Sequence, residues 1–131
     1  MLRRTVSGAF ALTVAGLIAA AASPAQAEST SPADFYDTAA AIINSDGSLN
    51  NGTNVVRSWR AGTGKYCIQL SHHVSAPHTL IQLTPREPRR LPSIAYRNPS
   101  ATCWRHNTIT VNVHNTSTGA LADGGFDLLA I

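Results

Sequence analysis

Apolar and polar residues alternate along several short stretches of this chain. The alternation is most regular over residues 108–114, where the apolar positions are Ile109, Val111 and Val113 and the polar positions are Thr108, Thr110, Asn112 and His114. Successive side chains of a β-strand point to opposite faces. The spacing therefore predicts a strand whose three apolar residues face a core and whose four polar residues face solvent.

The same pattern predicts further strands at residues 55–60, 65–71, 79–83 and 126–131, with a weaker one at 94–97. The first two flank Ala61-Gly62-Thr63-Gly64 and are predicted to form a hairpin. In its second strand, one face carries Tyr66, Ile68 and Leu70, and the other carries Lys65, Cys67 and Gln69. Short strands separated by turn residues predict an all-β fold, either a single antiparallel β-sandwich or a small barrel.

The segment before these strands has two readings. Ser31-Pro32-Ala33-Asp34 has the composition of a helix start, which predicts one short N-terminal helix through Ala40. Alternatively, residues 39–43 form the first strand. Asn44-Ser45-Asp46-Gly47 and Asn50-Asn51-Gly52 are both predicted turns.

Residues 85–99 contain four prolines and four arginines. Proline interrupts the hydrogen bonding of a sheet, so most of this stretch is predicted to be an exposed connection.

The first 27 residues have the layout of a secretory signal peptide. Arg3 and Arg4 precede an apolar run over residues 9–22, and Ala25-Gln26-Ala27 follows as a cleavage site. The run is shorter than the roughly 20 residues of a membrane span. Export by the twin-arginine route is an alternative to ordinary secretion. We therefore predict a signal peptide at 1–27, a leader or short helix at 28–38, and one β domain at 39–131, located outside the cell.

Cleavage at that site changes the charge balance. Eight basic residues then remain against seven acidic ones, which leaves a formal net charge of +1. This value predicts no nucleic-acid partner. No segment after residue 27 resembles a membrane anchor, so no membrane association is expected after cleavage.

The chain contains two cysteines, Cys67 and Cys103. Export to an oxidising compartment favours a disulfide between them. A buried free thiol and a reactive nucleophile are the alternatives.

Three histidines, His72, His73 and His78, lie within seven positions in the stretch LSHHVSAPHTL. One interpretation is a weak transition-metal site. The other is a hairpin loop, residues 71–77, whose histidines are solvated. Two adjacent histidines that continued a strand would point to opposite faces, and zinc needs at least one further ligand. The sequence therefore favours the loop and predicts no metal or other cofactor.

Motifs of common enzyme classes are absent from the sequence, among them H-E-x-x-H, G-x-S-x-G and C-x-x-C. A two-histidine nuclease is the best enzymatic alternative, with His106 beside Arg105 and His72 or His73 across the sheet. Trp59 and Trp104 are candidates for a ligand platform, with core packing as the alternative.

Three stretches, AIINSDGSLNNGTNVV, RAGTGKYCIQLSHHVS and VNVHNTSTGALADGGFDLLAI, resemble an uncharacterised family of small β-rich bacterial modules found in secreted or surface proteins. The resemblance covers most of residues 28–131 but is poor over residues 85–101. Its markers are fold positions: Asp46-Gly47, Gly62-Thr63-Gly64, Leu121-Ala122-Asp123 and Phe126. It implies no catalytic residue, and Cys67 departs from the residue usual at that strand position.

Together these features predict a secreted, non-enzymatic β module whose partner is an unknown extracellular ligand or protein. The candidate binding residues are Trp59, Trp104, Arg105 and His106. The alternatives are the two-histidine nuclease and a proteinaceous enzyme inhibitor with an exposed loop at residues 85–92. The sequence indicates no oligomeric state.

Overall fold

Eight antiparallel strands form two four-stranded sheets in the computed structural model, which describes residues 37–131. One sheet has the order β2-β1-β8-β5 and the other β3-β4-β7-β6. The strands are β1 Ala39–Ile43, β2 Leu49–Thr53, β3 Val55–Gly62, β4 Lys65–Leu70, β5 Ile81–Pro85, β6 Arg90–Tyr96, β7 Thr108–Asn115 and β8 Phe126–Ala130. The two sheets do not close into a barrel, so the all-β prediction is confirmed in its sandwich form.

The core lies between the facing sides of the two sheets. Ile109, Val111 and Val113 of β7 are fully buried there, as predicted. The rings of Tyr66 and Phe126, one from each sheet, meet edge to face with their centroids 5.4 Å apart. Such pairs add to the stability given by burial alone.

The outer face of the second sheet is covered, which the sequence did not predict. Thr108 and Thr110 point away from the core but are buried, because residues 97–107, here called the covering segment, fold back over β4 and β7. The hydroxyl of Ser100 lies 3.2 Å from that of Thr110. The prediction that these two threonines face solvent is therefore wrong, although their assigned face is correct.

The start of the β region is a strand. Ala39 and Ala40 belong to β1, which pairs with both β2 and β8. A helix through Ala40 is therefore wrong, and the predicted helix start at residues 31–34 lies outside the described residues. Among residues 37–131 no helix is long and apolar enough to cross a bilayer.

The two predicted turns differ in outcome. Residues 44–47 do turn: the Asp46 carboxylate accepts hydrogen bonds from the backbone and hydroxyl of Ser48, and Gly47 adopts a positive φ of 87°. By contrast, Asn50-Asn51-Gly52 lies within β2. This prediction was wrong because an edge strand exposed to solvent accepts polar residues when its neighbour supplies the pairing.

The proline-rich stretch also contains a strand. Arg90–Tyr96 forms β6, in which Pro92 lies opposite Val113. Proline is tolerated here because β6 is an edge strand, whose outward positions need no hydrogen-bond donor. The exposed connection predicted at residues 85–99 is thus limited to the short segments on either side of β6.

Residues 71–80, here called the crossing loop, do not close a hairpin, because β4 and β5 lie in different sheets. The loop passes from one sheet to the other and inserts Val74, Ala76 and Thr79 into the interior. The hairpin prediction for this stretch was wrong because strand periodicity does not reveal which sheet a strand joins.

Asn107 holds the crossing loop in place. Its side-chain amide donates hydrogen bonds to the carbonyls of Leu70, Ser71 and Val74 at 3.3, 2.8 and 2.7 Å, and its Oδ1 accepts one from the Ala76 N–H at 2.9 Å. Asn107 also adopts a positive φ of 55°, which asparagine tolerates better than most residues.

Asn107→Ala is expected to lower the free energy of unfolding by about 3 kcal/mol, because four hydrogen bonds are lost and alanine is strained at this φ. Asn107→Gly removes the same bonds without the strain and should cost less. Urea unfolding followed by circular dichroism measures both. Equal, small losses in the two variants would show that the amide does not hold the loop.

Candidate functional site

Arg57, Trp59, Trp104 and Arg105 line a cleft of about 260 Å³ on the outer side of the second sheet; we call it the Trp–Arg cleft. Arg57 and Trp59 come from β3. They are two residues apart and therefore project from the same face of the strand. Trp59 lies opposite Cys67 of β4, which places this wall of the cleft on the face that the covering segment crosses.

The second wall is the covering segment itself. The indole of Trp104 is 69% exposed, the largest exposure among the bulky apolar side chains of residues 37–131. The guanidinium carbon of Arg105 lies 4.8 Å from the centroid of that ring. A cation at this distance is attracted to the aromatic face, so Arg105 and Trp104 are held against each other.

A disulfide joins the two walls. Cys67 and Cys103 are bonded, with their α-carbons 5.5 Å apart, which confirms the predicted pairing. Cys67 is the cross-strand partner of Trp59, and Cys103 is the residue before Trp104. Both cysteines are buried. The bond therefore ties together the two backbone segments that carry Trp59 and Trp104, although these residues are distant in the sequence. A structural disulfide is also typical of an oxidising, extracellular type of environment.

The Trp–Arg cleft is positively charged. Within residues 37–131 the ion pairs are Arg60–Asp123 at 2.8 Å and Arg86–Asp127 at 3.5 Å, so neither cleft arginine is neutralised by a carboxylate of this part of the chain. No acidic residue lines the cleft. Its chemistry is that of two flat apolar surfaces beside two positive charges.

The structure brings three of the four candidate binding residues together. His106 follows Arg105 but does not line the cleft; its side chain is exposed, and its carbonyl accepts a hydrogen bond from Gln69. Arg57 was missed, although its spacing of two from Trp59 in a predicted strand was available as a signal.

The three histidines of the crossing loop do not come together as a set of metal ligands within residues 37–131. His72 and His73 are exposed, and their rings pack against each other with centroids 3.8 Å apart. His72 and His73 do not continue β4, so their side chains are not directed to opposite faces of a sheet. His78 is also exposed, and residues 37–131 contain no group of three side chains suited to a metal ion.

A second polar cluster lies around Tyr66. Asp123 accepts hydrogen bonds from Arg60 Nε and from the Gly64 N–H, both at 2.8 Å. The Tyr66 hydroxyl donates to the Ser45 carbonyl at 2.8 Å and accepts from the Gly124 N–H at 3.1 Å. Asp123 thereby holds the turn at Gly64, and the Tyr66 hydroxyl joins the turn at Ser45 to Gly124.

The electrostatics of this cluster follow from these contacts. The hydrogen bond from Arg60, together with that from Gly64, lowers the pKa of the Asp123 carboxyl below its ordinary value. Burial raises the pKa of the Tyr66 phenol. These contacts all join one part of the protein to another, so we interpret the cluster as structural.

Stability is expected to fall in acid partly through Asp123. Because its folded-state pKa is lowered, the unfolded chain binds more protons, so the contribution is complete above the ordinary value of 3.8 and is lost as pH falls through the folded-state pKa. Asp123→Asn should flatten this decline, and Arg60→Gln should flatten it partially. Chemical unfolding measured between pH 2 and pH 7 tests this, and a decline of unchanged slope in Asp123→Asn would contradict it.

Comparisons with protein-family models, with curated proteins and with solved structures find no match to this chain.

Proposed function

We propose that this chain is a secreted, non-enzymatic β module that binds an extracellular or cell-surface ligand at the Trp–Arg cleft. The observation that carries the proposal is the pair of indoles, Trp59 and Trp104, held on two walls that the Cys67–Cys103 bond joins. An indole exposed by more than two thirds is costly to leave in water, and such residues are enriched where proteins bind partners.

Secretion is part of the same proposal. It is supported by the disulfide, which is stable in oxidising compartments, and by the signal-peptide pattern of residues 1–27. The resemblance to small secreted β modules points the same way. Its marker residues Asp123 and Gly64 lie in the cluster around Tyr66, in keeping with a role in the fold.

The two alternatives have less support. A nuclease needs titratable groups that converge in a cleft, whereas the Trp–Arg cleft contains no histidine. An inhibitor needs a projecting loop. The connection between β5 and β6 is only four residues long, and it is held at both ends by hydrogen bonds of 3.0 Å, from Arg86 to Gly125 and from Thr116 to Arg89.

The test is retention of residues 28–131 on arrays of immobilised saccharides and peptides, compared with a variant that carries Trp59→Ala and Trp104→Ala. We expect retention on a defined set of probes and its loss in the double variant. Tyr96→Ala is the matched control, because it removes an aromatic side chain of 59% exposure outside the cleft.

Two outcomes would overturn the proposal. One is equal retention of the wild type and the double variant, or no retention of either. The other is hydrolysis of RNA or DNA by the purified protein that is lost in His106→Ala, which would establish the nuclease instead.

A further inference from the structure

The charges of the Trp–Arg cleft restrict the chemistry of its ligand. Arg57 and Arg105 stand beside the indoles without a carboxylate partner in residues 37–131. A neutral ligand would leave both guanidiniums without an anionic partner. Planar guanidinium groups form paired hydrogen bonds with a planar carboxylate, so a ligand with carboxylates uses groups that the cleft already presents.

The indoles restrict the ligand in a second way. A flat aromatic ring packs best against another flat surface, and Trp104 stays 69% exposed although the Arg105 guanidinium lies over its ring. A pyranose ring has a face of C–H groups of about this size. The cleft volume of about 260 Å³ accommodates one or two such rings.

We propose that the ligand is an acidic polysaccharide whose sugar rings carry carboxylates. This inference rests on the proposed function of the cleft. A sugar ring packs on Trp59 or Trp104, and its carboxylate pairs with Arg57 or Arg105. The Arg105 guanidinium lies over one face of the Trp104 ring and has no carboxylate partner in residues 37–131, so it is available to a carboxylate of a sugar that packs on Trp59 or on the rest of the Trp104 ring.

A single-stranded nucleic acid would also combine rings with negative charge, but the charge distribution favours the saccharide. Binding of a phosphate chain needs a row of cations along its path. The cleft supplies two arginines, which match the carboxylates of the one or two sugar rings that it accommodates but form no row of cations for a phosphate chain, and residues 28–131 carry a net charge of only +1.

The experiment is calorimetric titration of residues 28–131 with uronic acid oligosaccharides of three kinds: galacturonate, glucuronate-containing and mannuronate/guluronate. Each is compared with its methyl ester, which keeps the rings and removes the charge. We expect at least one free acid to bind, its ester to bind at least about tenfold more weakly, and affinity to fall with added salt.

Arginine variants locate the effect. Arg57→Gln with Arg105→Gln should weaken binding of the free acid by about tenfold for each guanidinium removed. Arg86→Gln with Arg89→Gln is the control, because it makes the same change in net charge on the connection between β5 and β6. Thermal melting of each variant establishes that it is folded.

The inference is overturned if none of the free acids binds, if acid and ester bind equally, or if an oligothymidylate binds more tightly than every uronate. In each case, tryptophan-dependent retention on the arrays would leave the proposed function standing with a different ligand. Loss of that retention would remove both.

Discussion

Replacing Val111 by aspartate is expected to unfold the domain. Val111 is fully buried in β7, where it lies between Tyr66 of β4 and Ile94 of β6. A carboxylate at this position would lack both water and a cationic partner, and an unpaired charge in a core costs about 3–5 kcal/mol or more. Domains of this size are stable by roughly 5–15 kcal/mol in total. Circular dichroism and urea titration should show loss of the cooperative transition.

The neighbouring residue provides the control. Asn112 is half-buried on the opposite face of β7 and lies opposite Lys65. Asn112→Asp should therefore change the free energy of unfolding by less than about 1 kcal/mol, since the new charge faces a cation across the strands. Unfolding by Asn112→Asp and tolerance of Val111→Asp would mean that the register of β7 is wrong by one residue.

Removing the disulfide by Cys67→Ala and Cys103→Ala is expected to lower the free energy of unfolding by about 4 kcal/mol in the chain-entropy model, given the sequence separation of 36 residues. The physical reason is that the bond restricts the unfolded chain, while the folded chain keeps the strand pairing of β4 with β7. Urea unfolding of the double variant against the oxidised wild type gives the difference.

The same substitution should loosen the covering segment more than the rest of the fold. The N–H of Cys103 donates to the Ser100 hydroxyl and its carbonyl accepts from the Ser100 N–H, so residue 103 reports on this local structure. The rate of hydrogen exchange should increase more at the amide of residue 103 than at the Val111 amide. Uniform acceleration of exchange would show that the bond stabilises the fold as a whole without a special role in holding the cleft wall.

The sequence predicted the strands whose pattern is dictated by burial. β4 and β7 lie in the interior of their sheet, and their alternating apolar residues identify them directly. The edge strands β3 and β5 were predicted as well, but β2 was missed and β6 was recognised only in part. The Asn, Gly and Pro residues of β2 and β6 have low strand propensity, and the conformation of these two strands is decided by pairing with a neighbour, which one-dimensional periodicity does not contain.

The candidate site was also predictable only in part. Trp59 and Trp104 were proposed as a ligand platform from their residue type, with core packing as the alternative, and Arg105 was proposed as a basic residue beside His106. Their proximity was not predictable, since it depends on the covering segment folding back over β4. The role of Asn107 was not predictable either, because its four hydrogen bonds form only when the crossing loop passes between the sheets.

The last strand of the chain, β8, lies in the interior of its sheet, between β1 and β5. Until β8 has been made, β1 and β5 therefore have no common neighbour in their sheet, and the Tyr66 ring lacks its contact with Phe126. The contacts that close this sheet join segments that are far apart in sequence, so its formation is expected to be slower than that of the hairpin of β3 and β4.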